Sequence, residues 1–281
     1  MIIDCHTHVW QYPGHLSETF VQEASLMRKT PINMNIDLAD HWKAMGPVDR
    51  AFVFAIKFAH SGMVVPNEYV ADYVKQHPEK LIGVASVDPT EKGAVEELER
   101  AVQDLGMKAL KLSSIYQNFH PCDERAMAVY EKACQLRIPL IVHQATTFPR
   151  NAPLKYANPV LMEDVALKFP DLKIVLAHLG HPWEREAIVL IRKQPNVYAD
   201  LSALYYRSWQ FYNSMLLCVE YDVTHKLLFG SDYPVTTPQD SIDNLHRVNR
   251  HVIDTPLPKV SKDVIEEIIH RDTLSVLGIE T

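Results

Sequence analysis

Glycine is scarce in this chain, 9 residues in 281, and no glycine-rich loop follows the first apolar run. An open, doubly wound nucleotide-binding sheet needs such a loop, because its backbone must approach the phosphates where a side chain would clash. Cysteine is equally sparse: Cys5, Cys122, Cys134 and Cys218 are scattered with no C-x-x-C spacing. They read as reduced thiols of a cytoplasmic protein and not as a disulfide framework. No stretch reaches the roughly 20 apolar residues of a membrane helix; "AFVFAIKFA" is short and carries Lys57. A secretory leader is not expected, because an apolar strand and a histidine pair fill the place one would take. Basic runs are missing, and a formal net charge of −7 argues against nucleic acid or an anionic membrane as partner. A local basic pocket for a small anionic substrate stays compatible with that balance, and a homo-oligomer is left open.

What is present is an ordinary globular composition, 47% hydrophobic and 22% charged. Short β-branched runs alternate with longer stretches of helical period. The runs are "IIDCHTHV" (2–9), "RAFVFAIKF" (50–58), "LIGVASVD" (81–88), "KALKLSS" (108–114), "PLIVHQA" (139–145), "KIVLAHLG" (173–180), "NVYADLSA" (196–203) and "KLLFGSD" (226–232). Between them lie helical stretches with start and stop signals, such as Asp123 ahead of 124–137 and Asn158-Pro159 ahead of 160–170. Strand and helix in strict alternation imply parallel strands joined by crossover helices. Eight such units make an α/β chain, a (β/α)8 TIM barrel, read as one domain over 1–281. Residues 11–35 are polar and irregular and read as an extended loop over the barrel mouth, a substrate lid or a surface excursion.

In such a barrel the chemistry sits where the strands end. Two histidines, His6 and His8, close the first run. His143 follows "LIV", His178 follows "IVLA" and Asp232 follows "LLFGS". One imidazole alone is more often a satisfied core histidine than a ligand. Five polar residues at five such positions are a different matter. Strand alternation puts His6 and His8 on one face, with Cys5 and Thr7 on the other. Three imidazoles and a carboxylate converging there suit a divalent ion, with a position left for water.

With these residues in place, the chain resembles the amidohydrolase superfamily, and in particular its second branch. That branch holds pyrone-dicarboxylate lactonase and the aminocarboxymuconate-semialdehyde and resorcylate decarboxylases. The matching segments are "DCHTHVW", "LIVHQ", "VLAHLGHPW", "LLFGSDYPV", "LKLSSIYQNFHPCD" and "RDTLSVLG". The H-x-H alone is weak, whereas the ordered set is specific and covers nearly the whole chain. The resemblance implies that His6, His8, His143 and Asp232 bind one divalent metal, Zn²⁺ in first place and Mn²⁺ in second. It implies that Asp232 and His178 are catalytic. Lys111 lies where binuclear members carry a carboxylated lysine, but this branch is usually mononuclear, so Lys111 is read as facing substrate or barrel interior. His181 is read as structural.

The expected reaction is hydrolysis of an ester, lactone or amide by a metal-activated water. Asp232 would move the proton, and His178 would hydrogen-bond the developing oxyanion. Nonoxidative decarboxylation of a hydroxylated aromatic acid is the alternative, and a non-catalytic metal-binding barrel is a third. Trp10, Lys111, Arg150, Tyr206 and Arg207 are the expected substrate contacts, with Lys155 near them. Cations and aromatics at a barrel mouth suit a small carboxylate-bearing substrate.

Overall fold

The structure, a computed structural model, describes residues 1–26 and 32–280. Eight strands form one parallel sheet in sequence order: β1 Ile3–His8, β2 Arg50–Phe54, β3 Leu81–Ser86, β4 Ala109–Leu112, β5 Leu140–Val142, β6 Ile174–Leu176, β7 Val197–Asp200 and β8 Leu227–Leu228. The sheet closes on itself just beyond β8. Cys5 N donates to Phe229 O at 3.0 Å, Asp232 N to His6 O at 2.8 Å and His8 N to Tyr233 O at 2.9 Å. All eight expected strands are present in order, each shorter than its apolar run.

Ile3, Cys5, Phe52, Phe54, Ile82, Val84, Ala109, Ile141, Val175 and Leu228 fill the barrel as one buried cluster. Leu274, Leu277 and Ile279, from the end of the chain, pack into the same cluster. A second, larger cluster lies between strands and helices. Burial of this kind contributes roughly 1.5–3 kcal/mol per large apolar side chain.

The helices start where the sequence signals them. Asp123 accepts from Arg125 N at 2.9 Å ahead of Glu124–Gln135, and Asn158 accepts from Val160 N at 2.9 Å ahead of Pro159–Met162. Each satisfies an amide that the first helical turn leaves free.

Two stretches differ from expectation. The run 50–58 is not one strand: β2 stops at Phe54, and Ile56–Phe58 pairs antiparallel with Met63–Val65. The chain can reverse there because Gly62 takes φ +81°. Within 11–35, Glu18–Leu26 is a helix. Ser17 Oγ accepts from Phe20 N at 3.2 Å at its start, and Phe20 and Ala24 are its buried side. Residues 27–31 of that stretch lie outside the described residues.

The four cysteines are unpaired, and no helix among the described residues is long and apolar enough to cross a membrane.

Candidate active site

On four strands the period of two runs from the apolar interior into the site. It leads from Ala109 to Lys111, from Ile141 to His143, from Tyr198 to Asp200, and from Leu228 past Gly230 to Asp232. A side chain at Gly230 would start 3.0 Å from His6 Cβ, so its absence leaves room for that imidazole.

β1 does not follow this rule. Ile3 and Cys5 point into the barrel, and unbroken alternation would send Thr7 inward with them. Instead the register against β2 slips between Asp4, opposite Ala51, and Thr7, opposite Val53. One extra residue, a β-bulge, reverses the facing. His6 and His8 then line the cavity, while Thr7 turns outward to His41 Nε2 at 2.8 Å and to the carbonyl of Phe52. Asp4 supports the bulge: its Oδ1 accepts from His6 N at 3.1 Å and Ser231 N at 2.9 Å. Burial raises the Asp4 carboxyl to about 7 even against these hydrogen bonds.

The five expected residues meet at the mouth. Ligand atoms of His6, His178 and Asp232 lie within 4.8 Å of one another. His8 Nε2 is 3.1 Å from Asp232 Oδ1, and His143 Nδ1 is 3.2 Å from His178 Nε2. All five are buried. His178 was expected beside the metal set and His143 within it. In this structure His178 belongs to the compact trio and His143 stands behind it.

The hydrogen-bond acceptors behind the rings assign their tautomers. His6 donates Nδ1–H to Asp200 Oδ2 at 2.9 Å, and His178 donates Nδ1–H to the Ser202 carbonyl at 3.0 Å. His143 donates Nε2–H to the Thr146 carbonyl at 3.2 Å. Lone pairs therefore remain on His6 Nε2, His178 Nε2 and His143 Nδ1, and the last two face each other. Two lone pairs at 3.2 Å repel unless a positive charge or a donated hydrogen meets each of them. A proton is a poor candidate, because burial pulls His178 down to about 4 and His143 well below the usual imidazole range. Burial also lowers His6 and His8, with Lys111 adding to it. His8 Nδ1, moreover, is buried without a partner. Neutral imidazoles around a carboxylate fit a divalent cation.

Asp200 and Ser202 were not singled out in the sequence, although Asp200 ends β7 facing inward. Burial opposes the charge of Asp200, but His6 Nδ1–H, the Ser202 hydroxyl and the amides of His178 and Ser202 hold it below the usual carboxylate range. One carboxylate thus orients His6 and pins the backbone of His178. Asp200→Ala should weaken metal binding by about 10- to 100-fold, as for other losses behind a ligand. Competition with a chromophoric chelator measures this, and an unchanged affinity would remove Asp200 from the site.

The backbone here is unusual. His178, Leu179, Ala203 and Asp232 all take positive φ, at 58°, 46°, 57° and 62°. Such conformations cost on the order of 1–3 kcal/mol each outside glycine and persist only where the surroundings impose them. The Asp200 carboxylate on His178 N and the His6 carbonyl on Asp232 N do so here.

Above these groups lies a cavity of about 290 Å³. Trp10, Phe20, Phe58, Tyr116 and Phe148 form much of its wall, with Ile32 and Met34 contributed by the 11–35 stretch. Trp10 stacks on His8 at 5.2 Å. Lys111 is buried inside, its Nζ 3.3 Å from His6 Nε2, and burial lowers it to about 8. Tyr206 and Arg207 line the rim, with the guanidinium 4.4 Å over the Tyr206 ring. Arg150 is not part of the lining. Its side chain is 81% exposed and turned to Glu23 at 3.9 Å, because its loop runs over the outer surface. Lys155 likewise lies over Tyr156, outside the cavity.

Three solved structures share this architecture, and in each case 99% of this chain is covered. An uncharacterised TIM-barrel protein from Bordetella bronchiseptica superposes with a TM-score of 0.77 at 20% identity over 99% of its length. A probable 2-pyrone-4,6-dicarboxylic acid hydrolase from Acinetobacter baumannii, holding citric acid, gives 0.70 at 17% over 99%. A dihydroxybenzoic acid decarboxylase from a Polaromonas species, holding manganese and 2-nitroresorcinol, gives 0.68 at 16% over 96%. At these identities the likeness is one of fold. The family model described as Amidohydrolase matches residues 3–271.

Proposed function

This chain belongs to the amidohydrolase family, and from that premise we propose that it is a metal-dependent hydrolase of a small carboxylate-bearing substrate, cleaving an ester, lactone or amide bond. The observation that carries this reading is the pair of facing imidazole lone pairs beside Asp232 at the floor of a largely apolar cavity.

His6, His8, His143 and Asp232 would hold one divalent ion, zinc in first place and manganese in second, with His178 against the reacting oxygen. When bound, such an ion makes water nucleophilic near neutral pH and polarises a carbonyl. The protein's own groups do the rest. Asp232 accepts the proton of the attacking water and returns it to the leaving atom. His178, with Nδ1–H held by the Ser202 carbonyl, turns an Nε2 lone pair to the cavity and accepts a hydrogen bond from the attacking water. The aromatic walls keep bulk water away.

Arg207 supports the carboxylate part of the reading. It lines the cavity, and no acidic side chain pairs with it among the described residues. A guanidinium matches a carboxylate in a two-pronged geometry, worth about 1.5–3 kcal/mol per charged hydrogen bond. Arg207→Ala should therefore raise KM by roughly 10- to 100-fold while kcat moves less, the mark of lost uniform binding. Arg150→Ala should leave KM unchanged.

The same floor can protonate a carbon next to a departing carboxylate, and the aromatic wall favours a flat hydroxylated acid for that decarboxylation. A panel of lactones, amides, esters and hydroxybenzoates, assayed with the metal-loaded protein for acid release and CO₂, separates the two. Stoichiometric CO₂ with no new acid group would decide against hydrolysis. The four unpaired thiols support a cytoplasmic location.

A further inference from the structure

His181 was expected to be structural, and its backbone is. Its N donates to His178 O at 2.9 Å, and its O accepts from Thr146 N at 2.7 Å. Any residue could make those two bonds. The side chain does something else. The ring lines the cavity and is only 9% exposed, and its Nδ1 lies 2.8 Å from Glu184 Oε1. Glu184, 7% exposed, sits in the first turn of the helix Glu184–Lys193. Gln210, from the helix Ser208–Glu220, donates its amide to the same oxygen at 3.1 Å. The same amide nitrogen lies 3.0 Å from His181 Nδ1, but the carboxylate oxygen at 2.8 Å can only accept, so Nδ1 carries the hydrogen and donates it to Glu184. Nε2, on the opposite edge, has no partner among the described residues, and it is absent from the fully buried unpartnered atoms.

A buried carboxylate–imidazole pair is an expensive way to fix the entry of one helix and tie it through Gln210 to the next. Apolar side chains of similar volume usually do so as well or better. The arrangement is explained if the ring is being aimed. With Nδ1–H committed to Glu184, the neutral imidazole offers the cavity a lone pair on Nε2, a hydrogen-bond acceptor of fixed direction. Neither Arg207 nor Lys111 can accept a hydrogen bond, and most of the wall is aromatic or aliphatic.

We propose that His181, aimed by Glu184, is a specificity-determining residue that accepts a hydrogen bond from a hydroxyl group of the substrate. The substrate class narrows from a small carboxylate to a hydroxylated one, one group read by Arg207 and the other by His181. This rests on the cavity being the carboxylate-binding site proposed above.

The test is binding and not turnover. Dissociation constants for benzoate, the three monohydroxybenzoates and their methyl ethers are measured by calorimetry on the metal-loaded protein. One hydroxybenzoate should bind about 10-fold tighter than benzoate, the worth of one well-placed hydrogen bond. His181→Phe should erase that gap while leaving benzoate within about 3-fold of its original affinity. Glu184→Gln, which keeps the shape, frees the ring to turn Nε2 into a donor. It should shrink the gap and strengthen the matching methoxybenzoate. A merely structural His181 would weaken all ligands alike. Persistence of the gap in both variants overturns the proposal, as does benzoate binding that no hydroxyl improves. If no benzoate binds at all, the carboxylate reading falls and this one falls with it.

Discussion

Asp232→Asn should lose about 10²- to 10⁴-fold in kcat, the span usually carried by a general acid–base group, while keeping most of its metal. The substitution preserves an oxygen where Asp232 meets His6 and His8, at 3.4 and 3.1 Å. What it removes is the capacity to take a proton. The amide also cannot rebalance the neutral histidines around it, so some loss of metal affinity accompanies the kinetic loss. Metal analysis alongside steady-state kinetics separates the two effects. The contrast is His178→Asn, which should slow turnover by about 10²-fold or more, as for loss of a group that takes a hydrogen bond from the attacking water, with the metal retained. If that variant emptied the site instead, the compact trio of His6, His178 and Asp232 would be the true ligand core. If Asp232→Asn kept its rate when fully loaded, the proton route assigned to Asp232 would be wrong.

A large loss of stability from one methyl group should come at Gly180. Its φ is +70°, and a Cβ there would lie 2.4 Å from Pro159 Cγ and 2.9 Å from Ala187 Cβ. Neither neighbour can swing aside: one is a proline ring, the other a methyl on the helix Glu184–Lys193. Backbone strain and overpacking together suggest about 3 kcal/mol for Gly180→Ala. At roughly 2–4 °C per kcal/mol for chains of this order, the melting temperature should fall by about 6–12 °C. Gly93→Ala supplies the comparison. Its φ is +85°, yet nothing lies within 4 Å of the added methyl. Only the backbone preference is lost there, about 1 kcal/mol. Equal melting temperatures for the two variants would mean that the packing around Gly180 relaxes, contrary to expectation.

The barrel was legible because its signals are periodic and repeated. Eight apolar runs at regular spacing leave few other arrangements, and the histidines and aspartate closing four of them mark the mouth. What escaped were features fixed by contacts distant in sequence. The helix Glu18–Leu26 has a capping serine at Ser17, but its polar composition resembles a loop until Phe20 and Ala24 find the barrel to pack on. Arg150 looked like a rim cation because its loop leaves a strand end, and no local pattern tells that the loop turns outward to Glu23. Asp200 could have been found, since it closes the seventh run just as His143 closes the fifth. His181 reads as structural because it opens a helix as H-P-W. Only the placement of Glu184 and Gln210 gives its ring a direction.

The extra residue in β1 makes the two halves of the site unequal before evolution. Along β5 or β7, replacing a site residue changes one side chain and leaves the others where they were. In β1, loss of Cys5 alone would set Asp4, His6, Thr7 and His8 evenly opposite Ala51, Phe52, Val53 and Phe54. Phe52 and Phe54 face the barrel interior, so both imidazoles would keep their facing. Descendants of this chain can therefore shed the bulge, as well as change single side chains around the mouth, without discarding the histidine pair. A search for members of such a lineage should accept first strands with and without the extra residue before it looks for missing histidines.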